Sequence, residues 1–230
     1  MIRYILFRVN TILLKLSSGK KVKKNRGNLN INLGCGLTVA SGWINIDGSL
    51  SCLVSKMPKF VKKISYGFSN VKNNDNFTKE KYISLLSKHE FVHHNLSKSI
   101  PIYDNKVEHA FSSHFLEHLK KNDAAHFLEE IYRVLKPGGR LRLSIPDLEY
   151  AIKLYPKNKY EMLDKYFFIQ DDANEYSTHK YMYDFEIIRQ ILKETGFTNI
   201  RRSKYKDSDF PDCHKLDNRE FDSLFIEASK

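Results

Sequence analysis

Hydrophobic positions recur along this 230-residue chain with two spacings, every second residue in some segments and every three to four residues in others. In residues 29–33 every second side chain is apolar, which predicts a short buried strand. Residues 43–47 predict a second strand, and the glycines within residues 34–36 predict a sharp turn after the first strand. Two parallel strands normally need a crossover of about a dozen residues. The connection predicted here, residues 37–42, has only six. The pattern therefore predicts either a single helical turn between these strands or a misplaced second strand.

The same two periods continue through the rest of the chain. Helical stripes are predicted, with Asn122 or Asp123 as the cap of one helix and Gly196 as the end of another. Strands that alternate with helices predict an α/β fold with a mostly parallel sheet. The predicted helices are residues 78–88, 122–135 and 187–192, and the further strands are residues 91–96, 107–111, 140–145, 197–200 and 224–226.

The basic excess of the chain is concentrated in an amino-terminal arm, residues 1–28. The net charge is +11, and the arm holds eight lysines and arginines and no acid, so only +3 remains for the rest. Residues 2–16 are apolar but interrupted by charge, and they lack the ~18 uncharged residues of a membrane span. Three roles for the arm stay open: packing on the domain or on a second copy in a homo-oligomer, peripheral contact of residues 1–24 with the inner face of a membrane, and nucleic-acid binding.

Composition predicts one globular domain at residues 29–230. Hydrophobic residues make up 41% of the chain and aromatic residues 13%, which suffices for a core at this length. The three cysteines form no C-x-x-C pair, so neither a disulfide framework nor a zinc knuckle is predicted, and the cytoplasm is favoured. Within the domain, residues 50–88 are predicted to be an insertion and residues 156–183 a lid.

The stretch that contains Gly34, Gly36 and Asp47 predicts a cofactor site. Ligands of open α/β sheets bind where strands end, and an acid at that place can hold a ribose hydroxyl. Val39 occupies the third glycine position of the dinucleotide fingerprint. Asp47 follows Gly34 by 13 residues, against roughly 20 in that fingerprint. A nucleoside-containing cofactor is therefore predicted without the dinucleotide pattern.

Four blocks of the sequence are similar to one known family. They are LNINLGCG with GWINID, HNLSKSIPIYDNKVEHAFSSHFLEHL, LEEIYRVLKPGGRLRLSIPDLE and HKYMYDFEIIRQILKETGF, and they cover most of residues 29–200. With these blocks the chain resembles the class I S-adenosylmethionine-dependent methyltransferases, particularly the small ones of bacterial cell-surface polysaccharide gene clusters. The resemblance implies a Rossmann-like methyltransferase fold with a mostly parallel seven-stranded sheet and flanking helices, and S-adenosyl-L-methionine as cofactor.

The resemblance also implies roles for single residues. Asp47 would bind the ribose hydroxyls of the donor, and Asn95 would lie by the adenine where the family usually has aspartate. Ser113 and His114 would approach the sulfonium. The residues implied for the cofactor are Asn32, Leu33, Gly34, Cys35, Gly36, Asp47, Asn95, Leu96 and Ser113.

A hydroxyl that accepts a methyl group benefits from a base that takes its proton. His114, Asp147 and His179 are the candidates, because each lies in a predicted loop after a strand. Each also has a structural interpretation. His114 can be a capping or hydrogen-bonded histidine, Asp147 can cap the helix that follows it, and His179 can be a surface residue of the predicted lid.

Residues 114–118 spell H-x-x-E-H, which is similar to a metalloprotease signature. On a helix, His114 and His118 would share one face and could bind zinc. The motif directly follows a strand of the methyltransferase pattern. We therefore expect Glu117 and His118 to be positioned by packing, and no metal to be bound.

The leading interpretation is an enzyme that O-methylates a sugar of a cell-surface glycan or of its lipid-linked precursor. Its partners would be a small-molecule donor and a glycan acceptor, and the basic apolar arm agrees with an acceptor near a membrane. The first alternative is a non-catalytic cofactor-binding or scaffold protein with the same fold. The second is a nucleic-acid methyltransferase, suggested by the pI of 9.4. Because most of the basic excess lies in the arm, no nucleic-acid partner is expected.

Overall fold

The sheet positions every other part of the fold. The computed structural model describes residues 2–17, 21–22, 28–73, 77–168 and 178–230. Across the sheet the strand order is β3-β2-β1-β4-β5-β7-β6, and neighbours are parallel except that β7 runs antiparallel to β5 and β6. The predicted mostly parallel seven-stranded sheet is confirmed. In the described residues the strands are β1 Leu29–Leu33, β2 Ile44–Asp47, β3 Glu90–His93, β4 Val107–Ser113, β5 Leu135–Pro146, β6 Thr198–Ser203 and β7 Ser223–Ser229.

Helices connect these strands and cover the sheet. Apolar side chains of the fifth and eighth helices, such as Phe127, Leu128 and Ile188, pack with the strands in the main core. The predicted flanking helices are therefore confirmed. In the described part of the chain they are α1 Ile2–Ser17, α2 Leu50–Val54, α3 Lys59–Phe68, α4 Lys79–Lys88, α5 Lys121–Val134, α6 Leu148–Leu154, α7 Lys159–Met162, α8 Phe185–Thr195 and α9 Cys213–Leu216, with shorter turns at Asn70–Asn73, Leu116–His118 and Leu163–Phe167.

Local signals set two of the predicted helix ends but not a third. α4 begins after Thr78, whose hydroxyl accepts a hydrogen bond from a first-turn amide at 3.2 Å, as predicted. α8 ends at Gly196, which adopts a left-handed φ of +109°. The predicted cap of α5 at Asn122 or Asp123 is wrong, because the helix begins after Lys120 without a side-chain cap. Burial of its apolar face, rather than a cap, determines where α5 starts.

The connection between β1 and β2 contains no helix. Residues 34–43 run from strand to strand through turns, yet the two strands pair in parallel. The second strand is therefore correctly predicted, and the single helical turn is wrong. A buried amide pair braces the connection instead, since Nδ2 of Asn32 donates to the carbonyl of Thr38 at 2.8 Å and to Oδ1 of Asn45 at 3.0 Å.

A carboxyl-terminal segment covers apolar surface beside this short connection. Trp43 and Phe111 pack with Phe210 and Leu216 in a separate buried cluster. The indole Nε1 of Trp43 donates to Oδ2 of Asp212 at 3.0 Å. Packing from far along the chain thus protects a face of the sheet next to the helix-free crossover.

Residues 50–88 form the connection between β2 and β3. Their helices α2, α3 and α4 bury Cys52, Tyr82 and Leu86 against Phe91 of β3. The division of the domain into an insertion and a lid stays a prediction. Residues 169–177 of the predicted lid lie outside the described residues.

The helix of the amino-terminal arm lies against the domain near the end of β2. Nδ2 of Asn10 donates to the carbonyl of Gly48 at 2.8 Å, and its Oδ1 lies 2.9 Å from Nε2 of His93. Leu14 is buried and lies next to Gly48. These contacts support the first of the three predicted roles, packing on the domain. Residues 18–20 and 23–27 of the arm lie outside the described residues.

Among the described residues, no helix combines the length and the hydropathy that a membrane crossing requires.

Candidate active site

The chain bends sharply after β1 on two glycines with left-handed backbone angles. Gly34 has a φ of +66° and Gly36 a φ of +50°. A Cβ atom on Gly34 would lie 2.5 Å from the ring of Phe115, whereas one on Gly36 would meet nothing within 4 Å. Gly34 is therefore required by conformation and by packing. The main chain at Gly36 borders open space that a ligand can fill.

Asp47 lies at the carboxyl end of β2 and is fixed beside this bend. Its Oδ2 accepts a hydrogen bond from the N–H of Gly36 at 2.9 Å. Its Oδ1 accepts one from the N–H of Ser49 at 2.6 Å. Two main-chain donors thus hold the carboxylate in one orientation. The predicted proximity of the acid and the glycine turn is confirmed.

Two buried thiols lie near the carboxylate of Asp47. Burial, and next the charge of Asp47, raises the pKa of Cys35 and of Cys52 well above the usual value. A thiol with a raised pKa stays protonated at neutral pH and is a poor nucleophile. Neither cysteine therefore takes part in covalent chemistry at this site.

Three residues of the set predicted for the cofactor turn their side chains into the protein. The amide of Asn32 is engaged in the β1–β2 connection. Leu33 belongs to the main core, and the buried thiol of Cys35 lies 3.5 Å from the carbonyl of Gly36. Contacts of these three residues with a ligand would therefore come from main-chain atoms.

Three further residues of that set follow β3 or end β4. Oδ1 of Asn95 accepts from the N–H and the hydroxyl of Ser97, at 3.1 and 2.8 Å. Leu96 is buried in the main core, and the hydroxyl of Ser113 donates to Oδ1 of Asn218 at 3.1 Å. Because β1 to β4 are parallel, their carboxyl ends share one edge of the sheet. These residues and the bend therefore lie along the same edge.

His114 follows β4 and is held by contacts on both ring nitrogens. Its backbone is left-handed, with a φ of +50°, and its ring is almost fully buried. Nε2 lies 2.9 Å from the hydroxyl of Ser223. Nδ1 lies 3.3 Å from Oε1 of Glu117 and 3.4 Å from the guanidinium of Arg219. The hydrogen-bonded interpretation is confirmed, and the role as base stays a prediction.

Asp147 ends β5 and caps α6. Its carboxylate accepts a hydrogen bond from the N–H of Glu149 at 2.9 Å, so the capping interpretation is confirmed. Partial burial raises the pKa of Asp147, while the amide of Glu149 acts in the opposite sense. A raised pKa brings a carboxyl closer to the range that suits proton transfer. The cap does not by itself remove Asp147 from the candidates.

His179 is partly buried, so its interpretation as a surface residue is wrong. Its Nδ1 lies 2.9 Å from the carbonyl of Tyr166, and its ring centroid lies 5.2 Å from that of His118. Burial lowers the pKa of His179, and the negative charge of Glu117 partly offsets that shift. The fold thus brings His179 to the loop that follows His114, more than sixty residues earlier in the chain.

Glu117 is a buried carboxylate. From sequence it was expected to be positioned by packing. It is fully buried, and within the described part of the chain neither of its oxygens has a hydrogen-bond partner. Nδ1 of His114 lies 3.3 Å away but outside hydrogen-bond geometry. Burial acts to raise the pKa of Glu117, but His114 and His118 outweigh it, so the net shift is downward. The H-x-x-E-H spacing was the signal that could have identified this residue.

Comparison with protein families agrees with the geometry of this edge of the sheet. Residues 32–143 match the family described as a methyltransferase domain. The matched range contains the bend, Asp47 and the loop after β4. No curated protein sequence matches the chain significantly. The family match supports an S-adenosylmethionine-dependent methyltransferase.

Solved structures with a similar fold have low sequence identity to this chain. One is an S-adenosylmethionine-dependent methyltransferase of Mesorhizobium loti, with 15% identity over 95% of this chain and 96% of that chain and a TM-score of 0.50. A chain of the complex between the Haloferax volcanii Trm112 methyltransferase activator and a methyltransferase has 16% identity over 96% and 88%, with a TM-score of 0.50.

A third similar structure is an S-adenosylmethionine-dependent methyltransferase of Archaeoglobus fulgidus, with 15% identity over 99% and 94% and a TM-score of 0.49. Likeness at these identities concerns the fold, and that of the two structures with a TM-score of 0.50 agrees with the predicted Rossmann-like methyltransferase fold. The family match, rather than these structures, supports S-adenosyl-L-methionine as the cofactor.

Proposed function

We propose that this protein is an O-methyltransferase that transfers the methyl group of S-adenosylmethionine to a sugar hydroxyl of a cell-surface glycan or its lipid-linked precursor. One observation carries the donor half of this proposal. The carboxylate of Asp47 is held 2.9 Å from the N–H of Gly36, at a main-chain bend that borders open space. An oriented acid beside bare backbone at strand ends suits the ribose of an adenosyl donor.

The proposed donor contacts follow the edge of the sheet from β1 to β4. The bend at Gly34 and Gly36 takes the methionine and ribose end, and Asp47 accepts the ribose hydroxyls. Asn95 and Leu96 border the adenine. Asn32, Leu33 and Cys35 contribute main-chain atoms, and Ser113 lies on the side of the sulfonium.

The proposed chemistry is an in-line displacement at the methyl carbon, so positioning contributes most of the rate. A base that takes the proton of the acceptor adds to it. His114 is the first candidate, because it directly follows Ser113 at the end of β4. Asp147 and His179 are the other candidates for this role.

Exposed aromatic side chains in the segment that follows Asp147 support a sugar as the acceptor. Tyr150, Tyr155 and Tyr160 are exposed in and around α6 and α7. Tyrosine combines an apolar ring face with a hydroxyl group, and a sugar presents both apolar and hydroxyl-bearing surfaces. The proposal places the protein in the cytoplasm, as a monomer or homo-oligomer, with the face of residues 1–24 that does not pack on the domain in contact with the inner face of the membrane.

Donor binding is the first test of this proposal. Titration calorimetry with S-adenosylmethionine should show binding to the wild-type protein, and Asp47→Ala should bind at least ~10-fold more weakly, because hydrogen bonds to charged groups contribute about 1.5–3 kcal/mol. Asp207→Ala removes an exposed acid and should bind as the wild type does. No binding to the wild type at millimolar donor would remove the proposal. Labelled donor incubated with glycan fractions then identifies the acceptor.

A non-catalytic donor-binding protein is the second candidate, and the engagement of His114 and Asp147 in hydrogen bonds favours it. Tight donor binding without turnover on any glycan fraction would support it over the enzyme. A nucleic-acid methyltransferase has less support, because the basic residues are concentrated in the arm. Turnover on RNA or DNA in the same labelled assay would identify it.

A further inference from the structure

The carboxylate of Glu117 is buried without any group that donates to it. Its side chain is about 1% exposed, and in the described residues neither oxygen accepts a hydrogen bond. A buried carboxylate without a partner is costly, and natural proteins normally pair such a group or bind a cation to it. Its main-chain carbonyl is bonded to the N–H groups of Lys180 and Tyr181, at 2.7 and 3.3 Å. These bonds fix Glu117 against the segment that carries His179.

Two imidazole rings lie beside this carboxylate, each with its Nδ1 close to a main-chain carbonyl. Nδ1 of His118 lies 3.2 Å from the carbonyl of Thr178, and Nδ1 of His179 lies 2.9 Å from the carbonyl of Tyr166. A carbonyl only accepts hydrogen bonds, so Nδ1 carries the proton in each ring and Nε2 of the neutral ring keeps a lone pair. A hydrogen bond from the second ring nitrogen to a carbonyl is the usual arrangement of a metal-binding histidine.

These three groups converge on one point. Nε2 of His118 lies 3.8 Å from Oε1 of Glu117. One ligand atom from each of Glu117, His118 and His179 lies within 4.8 Å of the other two. When both rings are neutral, three acceptors face one another at this point, and a positive charge between them removes their repulsion. A cation at this point would satisfy all three.

We propose that Glu117, His118 and His179 bind a divalent metal ion. Two imidazoles and one carboxylate form a ligand set of catalytic zinc sites, which leave a further position open. Zn²⁺ is the first candidate, and Co²⁺ or Mn²⁺ would accept the same ligands. This proposal replaces the expectation from sequence that no metal is bound. It also differs from the pair that the motif suggested, because His179 and not His114 completes the set.

The location of the site connects it to the proposed reaction. His114, the first candidate for the base, lies 3.3 Å from Glu117. A divalent ion lowers the pKa of a hydroxyl or water bound to it, so an acceptor hydroxyl at the open position would lose its proton more readily. This role rests on the proposed function, whereas the metal site itself does not.

Metal content tests the site without any activity assay. Wild-type protein equilibrated with Zn²⁺ and then dialysed should retain one equivalent by mass spectrometry, and Co²⁺ should give a visible absorption band. Glu117→Gln and His179→Gln should each weaken binding at least ~10-fold, as loss of a ligand contact does. His126→Gln, which changes an exposed histidine bonded to the carbonyl of Lys98, should retain the metal.

Two results would overturn the metal site. One is wild-type protein that holds no Zn²⁺, Co²⁺ or Mn²⁺ after equilibration, and the other is metal retention in His179→Gln equal to that of the wild type. His179 is only partly buried, so its variant should fold even if Glu117→Gln does not, and circular dichroism checks this. Donor titration on the same samples separates this outcome from failure of the proposed function, because metal binding needs neither donor nor acceptor.

An exposed apolar stripe on α3 carries a second and independent inference. Phe60 and Ile64 are 64% and 60% exposed, and Phe68 at the end of the helix is 42% exposed. Residues four apart lie on one face of a helix, so these side chains form one stripe. The opposite face is docked on the domain, where the ammonium of Lys62 bonds to Ser87 at 3.0 Å.

The charged residues of the segment that contains the α3 stripe are all basic. Between Gly48 and Asp75 the sequence contains five lysines and no acidic residue. Lys59 and Lys63 are exposed on α3 itself. An apolar stripe with basic neighbours and no acids is the pattern of a helix that lies in the interface of an anionic membrane.

We infer that the α3 stripe inserts into the surface of an anionic lipid bilayer. Flotation with vesicles of phosphatidylcholine and phosphatidylglycerol should carry the wild-type protein, and vesicles of phosphatidylcholine alone should carry less. Phe60→Ser should reduce flotation several-fold, whereas Phe221→Ser, which changes an even more exposed phenylalanine outside α3, should not.

Equal flotation of Phe60→Ser and the wild type would contradict the membrane surface. Light scattering gives the other decisive result. Concentration-dependent dimerisation that Phe60→Ser abolishes would show that a second copy covers the stripe, and would also overturn the inference.

Discussion

Two clusters of buried charge in this protein differ in how completely they are satisfied. In the first, Arg142 on β5 is fully buried, and its guanidinium donates to Asp217 at 2.5 and 3.1 Å and to Glu227 at 2.5 Å. Asp217 also accepts from the N–H of Lys206 at 2.8 Å. In the second, Glu117 is equally buried, but among the described residues no group donates a hydrogen bond to its carboxylate.

The difference indicates different roles for the two clusters. The Arg142 cluster joins β5 and β7 to the segment with α9, and every charge in it has an opposite charge or a hydrogen bond. It can be understood from the folded chain alone. The Glu117 cluster differs, because the ion-pair partners that the described residues give its carboxylate are histidines and not permanent cations. A buried group that the protein leaves unsatisfied indicates something that binds there.

The largest expected effect is on the satisfied cluster. Asp217→Asn should lower the free energy of unfolding by about 3–5 kcal/mol, because it breaks a buried ion pair and leaves part of the charge of Arg142 uncompensated. Chemical denaturation monitored by circular dichroism measures this. A loss below about 1 kcal/mol, the usual value of an exposed pair, would mean that the cluster does not hold the carboxyl-terminal segment.

The glycine bend is linked to the second cluster through Phe115, the neighbour of His114. Gly34→Ala should lower the free energy of unfolding by about 2–4 kcal/mol, from left-handed strain and from the clash with Phe115. Gly36→Ala carries the strain without the clash and should lose only about 1–2 kcal/mol. Equal losses in denaturant unfolding would contradict the contact between the bend and Phe115.

The acid dependence of stability should depend on Glu227 in the first cluster. Burial acts to raise the pKa of Glu227, but Ser208, Arg201 and Arg142 outweigh it, so its pKa is lowered on folding. The stabilisation is therefore present above the unfolded pKa of about 4.3 and is lost as pH falls through the folded value. Glu227→Gln should flatten the slope below that pH by up to about 1.4 kcal/mol per pH unit. An unchanged slope in unfolding measured from neutral to acid pH would contradict this.

The smallest expected change in stability is at Glu117, despite its complete burial. Glu117→Gln is the same carboxylate-to-amide change as Asp217→Asn, but it breaks no ion pair to a permanent cation. In metal-free protein it should change the free energy of unfolding by no more than about 1 kcal/mol, since the cost of burying a charge is removed together with the attraction of His114 and His118. With Zn²⁺ present, the wild type should gain stability that the variant does not. A loss as large as that of Asp217→Asn in metal-free protein would remove the distinction between the clusters.

Local physical chemistry allowed much of the fold to be predicted from the sequence alone. Alternation of apolar residues marked the strands, Thr78 and Gly196 set helix ends, and Gly34 with Asp47 marked the bend and its acid. Each of these features depends on residues close together in the chain or on the end of a predicted strand. The order of the seven strands, and of α4, α5 and α8 among them, is therefore contained in the sequence pattern.

Only the tertiary structure decided which distant residues meet. The connection between β1 and β2 contains no helix, because the Asn32–Asn45 amide pair and the packing around Phe210 stabilise a connection made of turns. The tertiary structure also brought His179 next to Glu117, although the two residues are more than sixty positions apart in the chain. It buried the carboxylate of Glu117, to which no group of the described residues donates a hydrogen bond. Such contacts depend on how crossovers and long loops pack on the sheet, and no local period or turn signal encodes that packing.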